Sequence, residues 1–139
     1  MNIKIESFSR IKHSYIKEGI SEYQKRLRKI LSIQINEHDD QRKITKLISG
    51  NEVILLDKGG KHFNSEKFAA WLSGKLNSGA KTLKFIIGPD TGFKNSDLID
   101  GSEKISLSKL TFSGELSAFV LMEQLYRAIS IIQKTRYHK

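Results

Sequence analysis

Val53-Ile54-Leu55-Leu56-Asp57-Lys58-Gly59-Gly60-Lys61 and Leu83-Lys84-Phe85-Ile86-Ile87-Gly88-Pro89-Asp90-Thr91-Gly92-Phe93 decide how the rest of the chain is read. Each opens with a near-continuous apolar run, as expected of a strand buried on both faces. Each then passes into a glycine-bearing loop. Working outward, Ile3 and Ile5 mark a strand over residues 1–8, and Leu31, Ile33 and Ile35 alternate as another. Ile16, Ile20, Tyr23 and Leu27 recur at helical spacing over 14–29. A short helix over 42–49 carries Ile44, Leu47 and Ile48 and stops at Gly50. Ser65 can cap a helix that runs to Leu76 with Phe68, Trp71 and Leu72 on one face. A helical turn at 95–99, a fifth strand at 103–107 and a long helix over 114–133 complete the pattern. Strand and helix alternate, with the most apolar strands in the middle. The expectation is an α/β domain with a mainly parallel sheet and helices on both faces. In such sheets ligands sit beyond the carboxyl ends of the strands.

The 139 residues suit one domain, 1–139. Hydrophobic residues make up 38%, too many for a disordered chain. No apolar run reaches the ~18 residues of a membrane span. Met1-Asn2-Ile3-Lys4-Ile5-Glu6 lacks the apolar core of a signal peptide. Cysteine is absent, which excludes disulfides and thiolate metal sites and suits a reducing, cytoplasmic setting. The net charge is +9. A polyanion such as nucleic acid is the natural partner of so basic a domain, the plainer reading being charge for solubility. Lys25, Arg26, Arg28 and Lys29 cluster at one helix end, and Arg127, Lys134, Arg136 and Lys139 fill a C-terminal stretch without acids.

Three loops fall at the same expected sheet edge. They are Leu56 to Lys61, Gly88 to Phe93, and Leu107-Ser108-Lys109-Leu110-Thr111-Phe112-Ser113-Gly114. Glycine lets main chain approach a ligand, although any one such loop could be a tight turn and nothing more. The dinucleotide fingerprint is missing after the first strand, and Gly88 and Gly92 have the wrong spacing for it. No P-loop occurs, and Gly59-Gly60-Lys61 lacks its upstream glycine. His13, His38, His62 and His138 have no zinc-ligand spacing, so no metal is expected. No nucleophile elbow surrounds Ser113-Gly114.

Ile105-Ser-Leu-Ser-Lys-Leu-Thr111, Leu121-Met-Glu-Gln-Leu-Tyr-Arg-Ala128 and the terminal Tyr137-His138-Lys139, taken with the first two loops, resemble the ribosomal large-subunit methyltransferase H family of the SPOUT superfamily. The resemblance covers the whole chain. It implies a C-terminal trefoil knot and a homodimer, neither of which periodicity reveals. It implies S-adenosylmethionine-dependent methylation of N3 of a pseudouridine in the helix 69 loop of 23S rRNA, on the assembled ribosome. By the family pattern, Leu56, Gly88 and the loop Ser108, Lys109, Leu110, Thr111, Phe112 and Ser113 line the cofactor site. Leu56, Leu110 and Phe112 can sandwich adenine while loop amides and carbonyls meet its edge. Arg127, Tyr137 and His138 fall to the substrate site, with the tail working across the dimer. This chain departs from the family at Pro89, where a glycine is usual, at Ser113-Gly114, where Pro-His is usual, and after the first strand, where Gly-Lys is missing.

N3 of a pyrimidine imide carries a proton that must leave before or during transfer. His138 is the candidate base, with an ordinary pKa near 6.5, and Arg127 the candidate stabiliser of the developing charge. Tyr137 can stack on a base and Lys139 can meet phosphate. Glu123 lies one turn before Arg127, placed either for an exposed ion pair or to hold the arginine. The rival readings are a basic ribosome- or RNA-binding protein without catalysis, an enzyme using a nucleotide cofactor on a doubly wound sheet, and a SPOUT methyltransferase acting on another RNA.

Overall fold

Ile3 and Ile5 are fully buried on one side of the first strand, and that alternation sets the sheet's inner face. The computed structural model describes residues 2–48, 52–93 and 102–139. In chain order the elements are β1 (Asn2–Ser7), α1 (Ser14–Leu27), β2 (Ser32–Glu37), a 3-10 turn (Gln41–Lys43), α2 (Ile44–Ile48), β3 (Glu52–His62), α3 (Ser65–Leu76), β4 (Thr82–Ile87), β5 (Glu103–Ser106) and α4 (Gly114–Ile132). The strands form one sheet in the order β2-β1-β4-β3-β5. Every pairing is parallel. The parallel α/β expectation therefore holds.

The two faces are covered unequally. Ile3, Ile5, Ile54, Leu83 and Phe85 pack under Ile16 and Ile20 of α1, Phe68 and Leu72 of α3, and Leu121, Met122 and Leu125 of α4. Helix α4 packs against both α1 and α3. Gly19 makes the α1 contact possible, because a Cβ there would lie 2.2 Å from the Phe119 ring. The other face holds a smaller cluster of Leu55, Ile86, Phe8 and Ile44, with α2 as its helix. Lys84 interrupts the apolar run of β4 on this face, and its ammonium donates to the Leu47 carbonyl at 3.4 Å. Glu6, also buried, accepts from Asn36 Nδ2 at 3.2 Å and lies 2.5 Å from His38 Nε2. Each buried charge thus meets a polar partner, as burial demands.

β3 runs well past Leu56, where the apolar pattern stops. Ile54 to Leu56 pair with Glu103 to Ile105, and Lys61 and His62 then re-pair with Ile105 and Ser106. The first expected loop is therefore a bulge inside a strand. Gly60 permits it, because a Cβ there would fall 2.7 Å from the backbone of Lys104 and Ile105. Asn64, not Ser65, caps α3 by accepting from Lys67 N at 2.8 Å. The expected turn at 95–99 and the Gly50 stop lie outside the described residues.

Candidate cofactor cleft and C-terminal cluster

The bulge of β3, the carboxyl ends of β4 and β5 and the first turn of α4 surround a cleft of about 310 Å³. Its floor and walls include Leu56, Gly88, Ser108, Leu110, Thr111 and Phe112, six of the residues expected there. Leu110 is 73% exposed, an apolar side chain left open to a ligand. Ser113 does not line the cleft. It caps α4 instead, its Oγ accepting from Leu116 N at 3.3 Å. Lys109 is exposed and does not line the cleft either.

The loops are shaped by short polar links. Ser106 Oγ donates to the Ser108 carbonyl at 2.9 Å, and Ser108 Oγ accepts from Leu110 N at 3.0 Å. Gly88 leaves room for Phe93, whose ring would stand 3.1 Å from a Cβ at that position. Gly114 leaves room for Ser9. A Cβ on Gly114 would fall 1.9 Å from Ser9 Oγ and 2.1 Å from Ser9 Cβ. Ser9 is buried, and its hydroxyl donates toward the Gly88 carbonyl at 2.9 Å and Asp90 Oδ1 at 3.2 Å. Asp90 Oδ1 also accepts from Gly114 N at 3.3 Å. The β1 loop, the β4 loop and the α4 start are thereby tied together. Lys58 on the β3 bulge donates to Thr111 Oγ1 at 2.7 Å, linking two walls.

Sequence reasoning missed Ser9, Asp57, Lys58, Asp90 and Phe93. All but Ser9 lie within the loops already singled out, so proximity was the available signal. Ser9 matters only because residue 114 lacks a Cβ, a fact of three-dimensional packing.

The three tail and helix residues assemble into a second site. Glu123 Oε1 accepts from Arg127 NH2 at 2.6 Å and from the Tyr137 hydroxyl at 3.0 Å. The Tyr137 hydroxyl also meets that of Tyr23 at 3.1 Å, and its ring meets Tyr126 edge-on at 4.6 Å. The Arg127 guanidinium lies 4.9 Å over the Tyr137 ring. Arg127 NH1 is 3.1 Å from His138 Nδ1, and His138 Nε2 is 2.9 Å from Glu66 Oε1. A guanidinium can only donate, so Nδ1 accepts and the proton belongs on Nε2, facing Glu66. The tail is pinned to α1, α3 and α4 rather than frayed. Burial, the Tyr23 hydroxyl and the Glu123 carboxylate push the Tyr137 phenol well above its ordinary value, so it stays protonated. The Glu123 hydrogen bond raises Arg127 and fixes its charge. Glu123 therefore holds the arginine in place.

Ser117 lines the cleft and Arg127 stands ten residues further along α4, so roughly 15 Å of helix separates the two sites in one chain. Among the described residues no group of three His, Asp or Glu could hold a metal ion. Nor is any helix among them long and apolar enough to cross a membrane.

The family profile described as "Predicted SPOUT methyltransferase" matches residues 1–138. Ribosomal RNA large subunit methyltransferase H of Ruminiclostridium cellulolyticum is 34% identical, with all of both chains covered. The protein of the same name from Carboxydothermus hydrogenoformans is 35% identical over the same span. The chain belongs to the SPOUT methyltransferases, in the ribosomal RNA large subunit methyltransferase H family. Among solved structures, methyltransferase Lpg2936 from Legionella pneumophila, with the bound cofactor SAM, shares the fold at a TM-score of 0.51 and 11% identity. That match covers 93% of this chain and 66% of Lpg2936. TrmJ from Z. mobilis ZM4 gives 0.53 at 7% identity, covering 92% and 70%.

For a SPOUT methyltransferase the cleft residues suit S-adenosylmethionine. Leu56, Leu110 and Phe112 offer apolar surface for a purine, and the loop carbonyls and amides offer a polar edge. Asp57, Asp90 and Lys58 supply charges at the same cleft for an amino-acid end.

Proposed function

We propose that the chain methylates N3 of a pseudouridine in the helix 69 loop of 23S rRNA on the assembled ribosome, in the cytoplasm and as a homodimer. The observation that carries this reading is the pair of sites on α4: a main-chain-lined cleft at its head and a charged, aromatic cluster built on Arg127 at its far end. When bound, S-adenosylmethionine supplies a sulfonium-activated methyl group. Leu56, Gly88, Ser108, Leu110, Thr111 and Phe112 would hold it, and Ser113 serves by starting α4 at the right place. Lys109, exposed on the same loop, faces outward toward substrate in this reading. The trefoil knot implied by the family resemblance would bring the loops around the cleft.

The tail residues receive the RNA. Arg127 offsets negative charge that develops on the imide as the N3 proton leaves. His138 takes that proton through Nδ1, which first releases Arg127 to the incoming nucleotide. Tyr137, kept protonated, stacks or donates rather than acting as base. Lys139 and the +9 net charge supply phosphate contacts. Because the tail stands roughly 15 Å along α4 from its own cleft, the tail of one subunit serves the cleft of its partner.

Labelled S-adenosylmethionine, offered with ribosomes lacking the modification and with free 23S rRNA and tRNA alongside, tests the reading. Label on N3 of a 23S pseudouridine, from ribosomes, is the expected result. Cofactor binding with label elsewhere would name a different RNA substrate. RNA binding with neither cofactor binding nor transfer would make the protein a non-catalytic binder.

A further inference from the structure

Among the described residues that line the cleft, Lys58 is the one cationic side chain, and Asp57 and Asp90 are the acids. It makes no ion pair among the described residues, and its recorded partner is the neutral Thr111 hydroxyl at 2.7 Å. An ammonium has three protons to donate, so two remain for another acceptor. Several main-chain donors around the cleft are already engaged. Gly114 N at the head of α4 donates to Asp90, and Leu116 N donates to the Ser113 cap. Leu110 N donates to Ser108 Oγ, and Gly92 N to the Pro89 carbonyl. Among the described residues, an anionic group entering this cleft therefore meets Lys58 as the available full positive charge.

We propose that Lys58 binds the carboxylate of the cofactor's amino-acid end. The inference rests on the S-adenosylmethionine reading above and adds a named residue to it. Lys58 lies two residues beyond Leu56 on β3, at the bulge, and both residues line the cleft. One strand then carries both an apolar contact for the nucleoside and a charge for the amino acid. The Thr111 hydrogen bond holds the ammonium at the loop between β5 and α4 that lines the cleft. Asp57 and Asp90, which also line the cleft, disfavour a carboxylate beside themselves and favour the sulfonium and the ammonium.

Titration calorimetry with two ligands tests this. S-adenosylhomocysteine keeps the amino-acid end, and 5′-methylthioadenosine lacks it. In Lys58→Met the affinity for S-adenosylhomocysteine is expected to fall about ten-fold, as for one charge-assisted hydrogen bond, with methylthioadenosine affinity unchanged. Lys58→Arg is expected to retain most of the S-adenosylhomocysteine affinity. Equal losses for both ligands, or none for either, would overturn the assignment. Unchanged nucleoside affinities with weakened ribosome retention would overturn it too, and would make Lys58 an RNA phosphate contact. If the wild-type protein binds neither ligand, the cofactor reading itself fails, a result distinct from any of these.

Discussion

The two ends of α4 are built from different materials. At the head, the cleft is built from loop main chain, small side chains and apolar residues such as Leu56, Leu110 and Phe112, with three charged side chains among the described residues. At the far end, Glu123, Arg127, Tyr137, His138 and Glu66 form a continuous network of charged and aromatic side chains. Main-chain groups suit a neutral purine edge, whose pattern of donors and acceptors they can match at short range. Charged side chains suit a polyanion and a proton transfer. The difference teaches that the two functions are separable in sequence as well as in space. Substitutions at one end should leave the other measurable.

The sharpest separation comes from Arg127→Ala. Methyl transfer to ribosomes should fall by about 10²–10³, the size of a lost electrostatic stabiliser. Calorimetry should show S-adenosylhomocysteine affinity unchanged. At the opposite end, Gly114→Ala forces a Cβ to within 1.9 Å of Ser9 Oγ and 2.1 Å of Ser9 Cβ. The displaced loops should cost about 1–3 kcal/mol, read as weaker cofactor binding. A second change, Ser9→Gly, should recover most of that loss, because the opposing atoms are gone. No recovery would mean that residue 114 acts other than through Ser9.

Much of this contrast was visible in the sequence, and the invisible parts have physical causes. The apolar runs at 53–56 and 83–87 placed the central strands, since burial on both faces leaves a plain mark. The bulge at 57–60 left no such mark. Its residues are polar or glycine, and only the close approach of β5 to Gly60 explains its shape. The loop residues of the cleft were legible as a group, but Lys109 and Ser113 were not separable from their neighbours, because a cap and a ligand contact can use the same serine. The tail was legible as a motif and illegible as a structure. Tyr137 is held by Tyr23, 114 positions away, and His138 by Glu66, 72 positions away. No local pattern reports pairings of that separation.

Two smaller effects refine the tail. Tyr137→Phe removes the hydroxyl shared by Tyr23 and Glu123 but keeps the ring against Tyr126 and Arg127. Transfer should fall about ten-fold, comparable to one hydrogen bond to a charged group. In the wild type the phenolate absorbance of this residue should emerge later than that of free tyrosine as pH rises. Its raised pKa gives stability that is present below the ordinary phenol value and lost above it. The smallest effect concerns Glu66, whose pKa is lowered by the hydrogen bond from His138. A lowered carboxyl pKa contributes stability above its unfolded value, and that contribution is lost as pH falls through the folded one. Protection of the 136–139 amides, taken relative to their intrinsic exchange rates at each pH, should therefore fall at acid pH. Glu66→Gln should remove that step. An unchanged pH profile in the variant would separate the tail from Glu66.

In the proposed homodimer, a cleft and a tail on different chains make one active site. Mixing Gly114→Val, defective in the cleft, with Arg127→Ala, defective in the cluster, tests it directly. Each variant alone should be nearly inactive on ribosomes. After subunit exchange, mixed dimers carry one intact cleft facing one intact tail, and transfer should return to a substantial fraction of wild type. A mixture no more active than its two components would place cleft and tail in service of the same chain, and would contradict the account.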